Sequence, residues 1–172
     1  MLQDLTSESE NEAQFMKVYE NYADGIFRYC LFRVWDKELA RDLTQEAFCR
    51  AWFQLAEGKD IDNLRAFVYK VARNLIIDNS RKRKDVSLDQ MLDDAKISLP
   101  ATSANQVESY VDGRLLLRSL EQLDEQYKEV VMLRYIEEMT PAEIAEVLGE
   151  KANAVSIRIN RGISKLRELI NG

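Results

Sequence analysis

Thr140-Pro141-Ala142-Glu143-Ile144-Ala145-Glu146-Val147-Leu148-Gly149 is the stretch from which the fold can be read. Threonine at the cap, proline at the first helical position and glutamate three residues after the threonine form a capping box that starts a helix. Ile144, Ala145 and Leu148 give this helix an apolar side, and Gly149 stops it. A short turn, Glu150-Lys151-Ala152, leads into a longer pattern in which Val155, Ile159, Ile163, Leu166 and Ile170 form one stripe. A short helix, a glycine-containing turn and a longer basic helix read as a helix-turn-helix. At about 100° per residue, Asn153, Ala154, Ile157, Asn160, Arg161 and Ser164 point away from that stripe, with Arg158 and Lys165 on its flanks. Amide and guanidinium groups there suit base edges and phosphates, and an outward isoleucine suits a thymine methyl. A helical hairpin with no nucleic-acid role would not need these side chains.

Working outward, Val130, Val131, Met132 and Leu133 crowd one preceding helix, and Leu116, Leu120 and Leu123 line another. Residues 109–172 therefore read as a four-helix domain. The first half reads as three helices. Phe15, Val18, Tyr19, Tyr22, Ile26, Tyr29 and Cys30 recur at three- and four-residue steps, and a break follows at Trp35-Asp36, with Asp36 as the next N-cap. Leu39, Leu43, Phe48 and Trp52 carry the second helix to about Leu55, and Glu57-Gly58-Lys59-Asp60 interrupts it as a loop. A third helix, roughly Asp62 to Arg81, has Leu64, Phe67, Val68, Val71, Leu75 and Ile76 as its inner side. Residues 85–108, with Pro100, several Ser and Thr and four Asp, read as a linker, although Ser87 with Gln90 can cap a short helix. A loop that long inside one compact domain is uncommon. The fold class expected is all-α, with two small helical domains (1–84 and 109–172) joined by a flexible linker.

The composition fits: 172 residues, 46% hydrophobic and 31% charged, with two prolines and six glycines. No apolar run approaches the roughly 20 residues of a membrane span, and Met1-Leu2-Gln3-Asp4 lacks the basic start of a signal peptide. No membrane insertion and a cytoplasmic location are expected. The chain has no histidine, which removes the commonest general base and metal ligand. It has no glycine-rich phosphate loop, GxSxG element or clustered carboxylates with a partner base. Neither an enzyme nor a metal or cofactor site is expected. Cys30 and Cys49 read as two reduced core thiols.

Net charge is −6, which on its face argues against a nucleic-acid binder. The distribution argues the other way. Residues 71–84 hold five Lys or Arg against one Asp, and residues 151–172 hold five against one Glu. Phosphate affinity follows local charge, because each neutralised phosphate releases condensed counterions. The acidic remainder opposes indiscriminate binding, so strong DNA binding is expected only when a partner presents both basic segments together. A stand-alone helix-turn-helix regulator accounts for residues 110–170 but leaves the first half unexplained.

Three motifs in order carry a family resemblance. Asp42-Leu43-Thr44-Gln45-Glu46-Ala47-Phe48-Cys49-Arg50-Ala51-Trp52 is similar to the DLTQExFxxxW core-binding signature of the extracytoplasmic-function sigma factors, the smallest class of the sigma-70 family. Phe67-Val68-Tyr69-Lys70-Val71-Ala72-Arg73-Asn74-Leu75-Ile76-Ile77-Asp78, followed by Arg81-Lys82-Arg83-Lys84, resembles the family's promoter −10 segment. Val130 to Tyr135, then Glu143-Ile144-Ala145, Leu148-Gly149, Arg158, Arg161 and Leu166-Arg167, resemble its −35-reading domain. The resemblance covers about residues 12–84 and 110–170. One departure stands out: Asn153-Ala154-Val155-Ser156-Ile157-Arg158 occupies the place of a frequent Gly-Thr-Val-Lys-Ser-Arg run, so a lysine expected on phosphate is missing.

The resemblance implies an RNA polymerase subunit that recognises and opens promoter DNA without chemistry of its own. Asp42, Gln45 and Glu46 are then expected to meet basic side chains of core polymerase, with Leu43 or Phe48 close to that surface, although Phe48 and Trp52 read first as core. Arg65, Tyr69, Lys70, Arg73 and Asn74 are expected to face −10 DNA. The loop from Leu55 to Asn63, with Asp60 and Asn63, is expected to capture a flipped base, and Arg81, Lys82 and Arg83 to contact phosphates. For the −35 element the residues are Lys151, Asn153, Ala154, Ile157, Arg158, Asn160, Arg161 and Lys165. The partners implied are core RNA polymerase, promoter DNA and an anti-sigma protein.

Overall fold

The structure is a computed structural model that describes residues 2–83, 116 and 118–171, with side chains described from residue 9. Among these residues every regular element is a helix. The chain divides into two units, Met1–Ile97 and Ser98–Gly172. The expected linker, including Ser87 and Gln90, lies outside the described residues, as does Lys84.

In the first unit α1 (Leu2–Val34) runs well N-terminal to its apolar pattern. It ends where Trp35 takes a left-handed φ of 53° and its amide donates to the Leu31 carbonyl at 2.8 Å. This conformation is costly for a bulky residue, and the indole lies against Phe32 with the rings tilted at 52° and their centroids 5.8 Å apart. Asp36 then caps α2 (Lys37–Ala56), its carboxylate accepting from the Leu39 amide at 3.0 Å, as the sequence predicts. Ala40, Ala47 and Ala51 are fully buried along α2, which lets its backbone approach α1 closely. Leu43, Phe48 and Leu55 fill the space between.

The third helix, α3 (Leu64–Arg83), is capped by Asn63, whose side-chain oxygen accepts from the Ala66 amide at 3.0 Å. Its buried face is Leu64, Ala66, Val68, Tyr69, Ala72 and Ile76. The expected face is thus rotated: Phe67, Val71 and Leu75 are only half-buried. Ala66 and Ala72 carry weak hydrophobic signals but allow close packing, and the Tyr69 ring meets Tyr29 edge-on at 5.6 Å.

In the second unit residues 118–122 are helical, with Leu120 and Leu123 buried. Leu116 and Ile170, expected on apolar stripes, are 40% and 39% exposed. The helix α4 (Glu125–Val131) continues into a π-turn over Met132–Ile136, in which the Glu137 amide bonds the Met132 carbonyl at 3.1 Å. The wider turn buries Met132 and Leu133 while leaving Tyr135 56% exposed. The capping box forms as read: the Glu143 amide donates to Thr140 Oγ1 at 3.2 Å, and the Thr140 amide donates to Glu143 Oε2 at 2.8 Å. It opens α5 (Pro141–Leu148), which Gly149 closes with φ 69°. The last helix, α6 (Ala152–Asn171), packs on α4 and α5 through Val155, Ile159, Gly162 and Leu166.

Candidate nucleic-acid and partner interfaces

Because α2 seats its alanines and leucines against α1, its opposite face is open. Asp42, Gln45, Glu46, Cys49 and Phe53 are exposed there. Asp42, Glu46, Cys49 and Phe53 follow one another at four-, three- and four-residue steps, so they form a single stripe. Glu46 accepts from Arg50 Nε at 2.6 Å, an exposed pair one turn apart. Leu43 and Phe48, of which one was expected close to the polymerase surface, are not on this face. Both are buried, and Phe48 is enclosed by Phe15 and Tyr19, with ring centroids 6.0 and 4.9 Å away. The apolar group that α2 does present is Phe53, 64% exposed. Sequence reasoning passed over it because Leu39, Leu43, Phe48 and Trp52 already supply the apolar spacing of the helix.

The two cysteines differ. Cys30 is fully buried, and burial pushes its thiol up to about 11 despite a hydrogen bond with Thr44 and the nearby Arg33 cation. Cys49 is exposed on the acidic stripe, which corrects the reading of two core thiols.

The loop after α2 turns at Gly58, with φ 79°. Lys59 Nζ bonds Gln54 Oε1, folding the loop back on α2, and Asp60 is exposed. Asn63, expected on DNA, is half-buried and engaged as the cap of α3. Lys70, Asn74 and Arg81 share one exposed face of α3. Two neighbours depart from expectation. Tyr69 is fully buried, so its ring cannot serve as a base platform in this conformation. Arg65 is half-buried, with its guanidinium 4.4 Å from the Tyr22 ring centroid, where cation–π attraction holds it against α1. Arg73 is half-buried at the edge of the face and Lys82 is exposed. Arg83 closes the helix, and its side chain lies outside the described residues.

In the second unit α6 exposes Asn153, Ala154, Ile157, Asn160, Arg161 and Lys165, and Lys151 is exposed in the turn before it. Ile157 is 54% exposed, with its neighbours along the face all polar or small. Tyr127, Asn160, Arg161, Ser164 and Lys165 line a shallow hollow beside the helix. The Lys165 ammonium lies 5.1 Å from the Tyr127 ring centroid and 3.7 Å from Asp124. Arg158 is turned aside: Nη1 and Nη2 donate to the two oxygens of Glu150 at 3.0 and 2.6 Å. No group of His, Cys, Asp or Glu among the described residues is arranged to hold a metal ion. No helix there is long and apolar enough to cross a membrane.

Comparison with known proteins agrees with this layout. Residues 18–86 match the family Sigma-70 region 2, and residues 113–166 match Sigma-70, region 4. The chain is 31% identical over 163 residues to the ECF RNA polymerase sigma factor BldN of Streptomyces coelicolor, an alignment that spans 91% of this chain and 60% of that longer protein. It is 30% identical over 159 residues to the ECF RNA polymerase sigma factor SigL of Mycobacterium tuberculosis, covering 91% of this chain and 89% of that one. The fold is similar to that of the sigma factor RpoE of Bartonella quintana, solved with the anti-sigma factor NepR. The TM-score is 0.71 at 21% identity, covering 92% of this chain and 97% of that one. With both regions matched in chain order and a relative covered over most of its length, the chain belongs to the extracytoplasmic-function sigma factors of the sigma-70 family, which act in transcription initiation.

Proposed function

We propose that each exposed face serves one step of promoter recognition. The stripe Asp42, Gln45, Glu46 and Phe53 on α2 docks core RNA polymerase. Its carboxylates meet cations there, and Phe53 supplies the buried aromatic anchor that such interfaces favour. Lys70, Asn74, Arg81 and Lys82 on α3, with Arg73 at the edge and Arg83 at the helix end, hold the −10 strand. The loop around Asp60 captures an unstacked base, which repays the few kcal/mol that flipping costs. Asn63 supports that loop through its cap, while Arg65 and Tyr69 fix α3 from within. Asn153, Ala154, Ile157, Asn160, Arg161 and Lys165 on α6, with Lys151 in the turn before it, read the −35 element, with Ile157 on a thymine methyl. The protein supplies no catalytic group of its own, works in the cytoplasm, and is held off by an anti-sigma protein that covers these faces.

The observation that carries this reading is the pairing of an acidic stripe on α2 with separate cationic faces on α3 and α6 in a chain of net charge −6. Reversing the charge of Glu46 tests it. Glu46→Lys removes only an exposed pair with Arg50, worth about 0.3–0.5 kcal/mol, so the fold should persist by circular dichroism. Affinity for core polymerase in a fluorescence titration should fall at least about 30-fold, the loss expected at an interface hot spot. Unchanged affinity would remove α2 from the interface.

A further inference from the structure

The bidentate pair of Glu150 and Arg158 sits at the heart of the helix-turn-helix. Glu150 follows the left-handed Gly149, and its amide donates to the Ala145 carbonyl at 3.0 Å, so the end of α5 fixes its backbone. Arg158 springs from α6 beside the buried Val155 and Ile159, which seat that stretch of the helix in the unit's core. The two side chains meet fork to fork at 3.0 and 2.6 Å, with 25% of the arginine and 32% of the carboxylate side chain exposed. The residues are eight apart in sequence, so the pair is not a turn of one helix; it ties the turn to the reading helix. Two parallel N–H···O bonds fix orientation as well as distance.

Charge points the same way. A paired guanidinium and carboxylate present no net charge to a phosphate, and a carboxylate held near DNA repels it. The Lys165 contact with Asp124 differs, being 3.7 Å long with both side chains about half exposed or more (49% and 65%), so that lysine keeps most of its reach.

We propose that Arg158 is a positioning residue: Glu150 braces it so that the turn and α6 keep one angle, and it adds nothing to the phosphate contacts that set affinity. The brace decides which base edges Asn153, Ile157 and Asn160 meet, so it acts on sequence discrimination. This rests on the reading of α6 as the −35 surface.

The test uses the full chain assembled with core RNA polymerase. Binding to promoter duplexes with a matched or a scrambled −35 element is measured over a range of salt. Arg158→Gln should lower the matched-to-scrambled affinity ratio about fivefold or more, the scale of one misread base pair, with a change in salt slope well below that of losing a phosphate contact. Arg161→Gln should flatten the slope of log affinity against log salt by about 0.9, the loss of one phosphate contact. Glu150→Gln should release Arg158, steepening the slope and strengthening binding to scrambled DNA. The charge-swapped double variant, Glu150→Arg with Arg158→Glu, rebuilds the pair and should recover most of the ratio lost in Arg158→Gln. A slope change in Arg158→Gln equal to that of Arg161→Gln, or a double variant that binds worse than Arg158→Gln, would overturn the brace and make Arg158 a direct DNA contact. An unchanged slope and ratio in Arg161→Gln, in a holoenzyme that still transcribes, would overturn the placement of the −35 surface on α6, and the brace with it.

Discussion

Cys30 and Cys49 are chemically opposite residues nineteen positions apart. The thiolate is the reacting species. Cys30, pushed up from 9.0 to about 11 by burial, keeps its proton where Cys49 is open to solvent and reagent. Iodoacetamide at pH 8 should therefore add once to the native protein, at Cys49, and twice in denaturant, as read by peptide mass spectrometry. Core polymerase should protect Cys49, because this residue lies between Glu46 and Phe53 on the proposed docking stripe; undiminished labelling in the complex would move polymerase off α2. Cys30 also sets a pH dependence. Its native form holds a proton that the unfolded chain loses above about pH 9, so stability is full below 9 and falls as pH rises toward 11. Two pH decades correspond to about 2–3 kcal/mol at most. The decline should be shallower in Cys30→Ala, measured by urea unfolding at pH 8 and pH 10.5. Burial of one cysteine and exposure of the other were not legible in the sequence, since both sit in apolar surroundings and only the turn of α2 against α1 separates them.

Single elements show why some of the architecture was readable and some was not. The caps were legible because they are local: Asp36, Thr140 with Glu143, and Gly149 each act within a turn of their own position. The rotation of α3 was not, because its buried face depends on Ala66 and Ala72, which signal little by themselves and matter only once α1 and α2 are packed against them. Tyr69 was therefore expected outside and lies inside, and Phe53, which the apolar pattern did not single out, lies outside. Gly162 shows the same dependence. A β-carbon there would lie 2.9 Å from Val131 Cγ2 and 3.4 Å from Tyr127 Cβ, so the crossing of α6 over α4 needs glycine. Alanine gains about 1 kcal/mol of helix propensity, but overpacking a buried contact costs about 1–3 kcal/mol. Val131 is buried and short, with little room to yield. Gly162→Ala should lower the melting temperature of the second unit by several degrees in calorimetry; a rise would show that Val131 can turn aside.

On the scale of the whole molecule, charge is divided between the two units. Net charge is −6, yet residues 71–84 and 151–172 each hold five cations against one anion. Each basic segment borders a face that geometry leaves open, on α3 in one unit and on α6 in the other. The acidic remainder repels DNA over roughly a Debye length, about 8 Å at physiological salt, so the free chain should bind duplex DNA weakly. On the proposed docking through the acidic stripe of α2, polymerase should add the affinity that the free chain lacks. This division was legible from the order of motifs and the charge count. The individual contacts were not, because which face of a helix is open is settled only by what packs behind it.

Run-off transcription with purified bacterial core polymerase and a sequenced promoter library tests the central claim most directly. The account predicts transcripts that depend on this chain, each start preceded by the same two sequence motifs at a fixed spacing. Tight binding to duplex DNA without polymerase, together with no chain-dependent transcript and no complex with core polymerase, would contradict it.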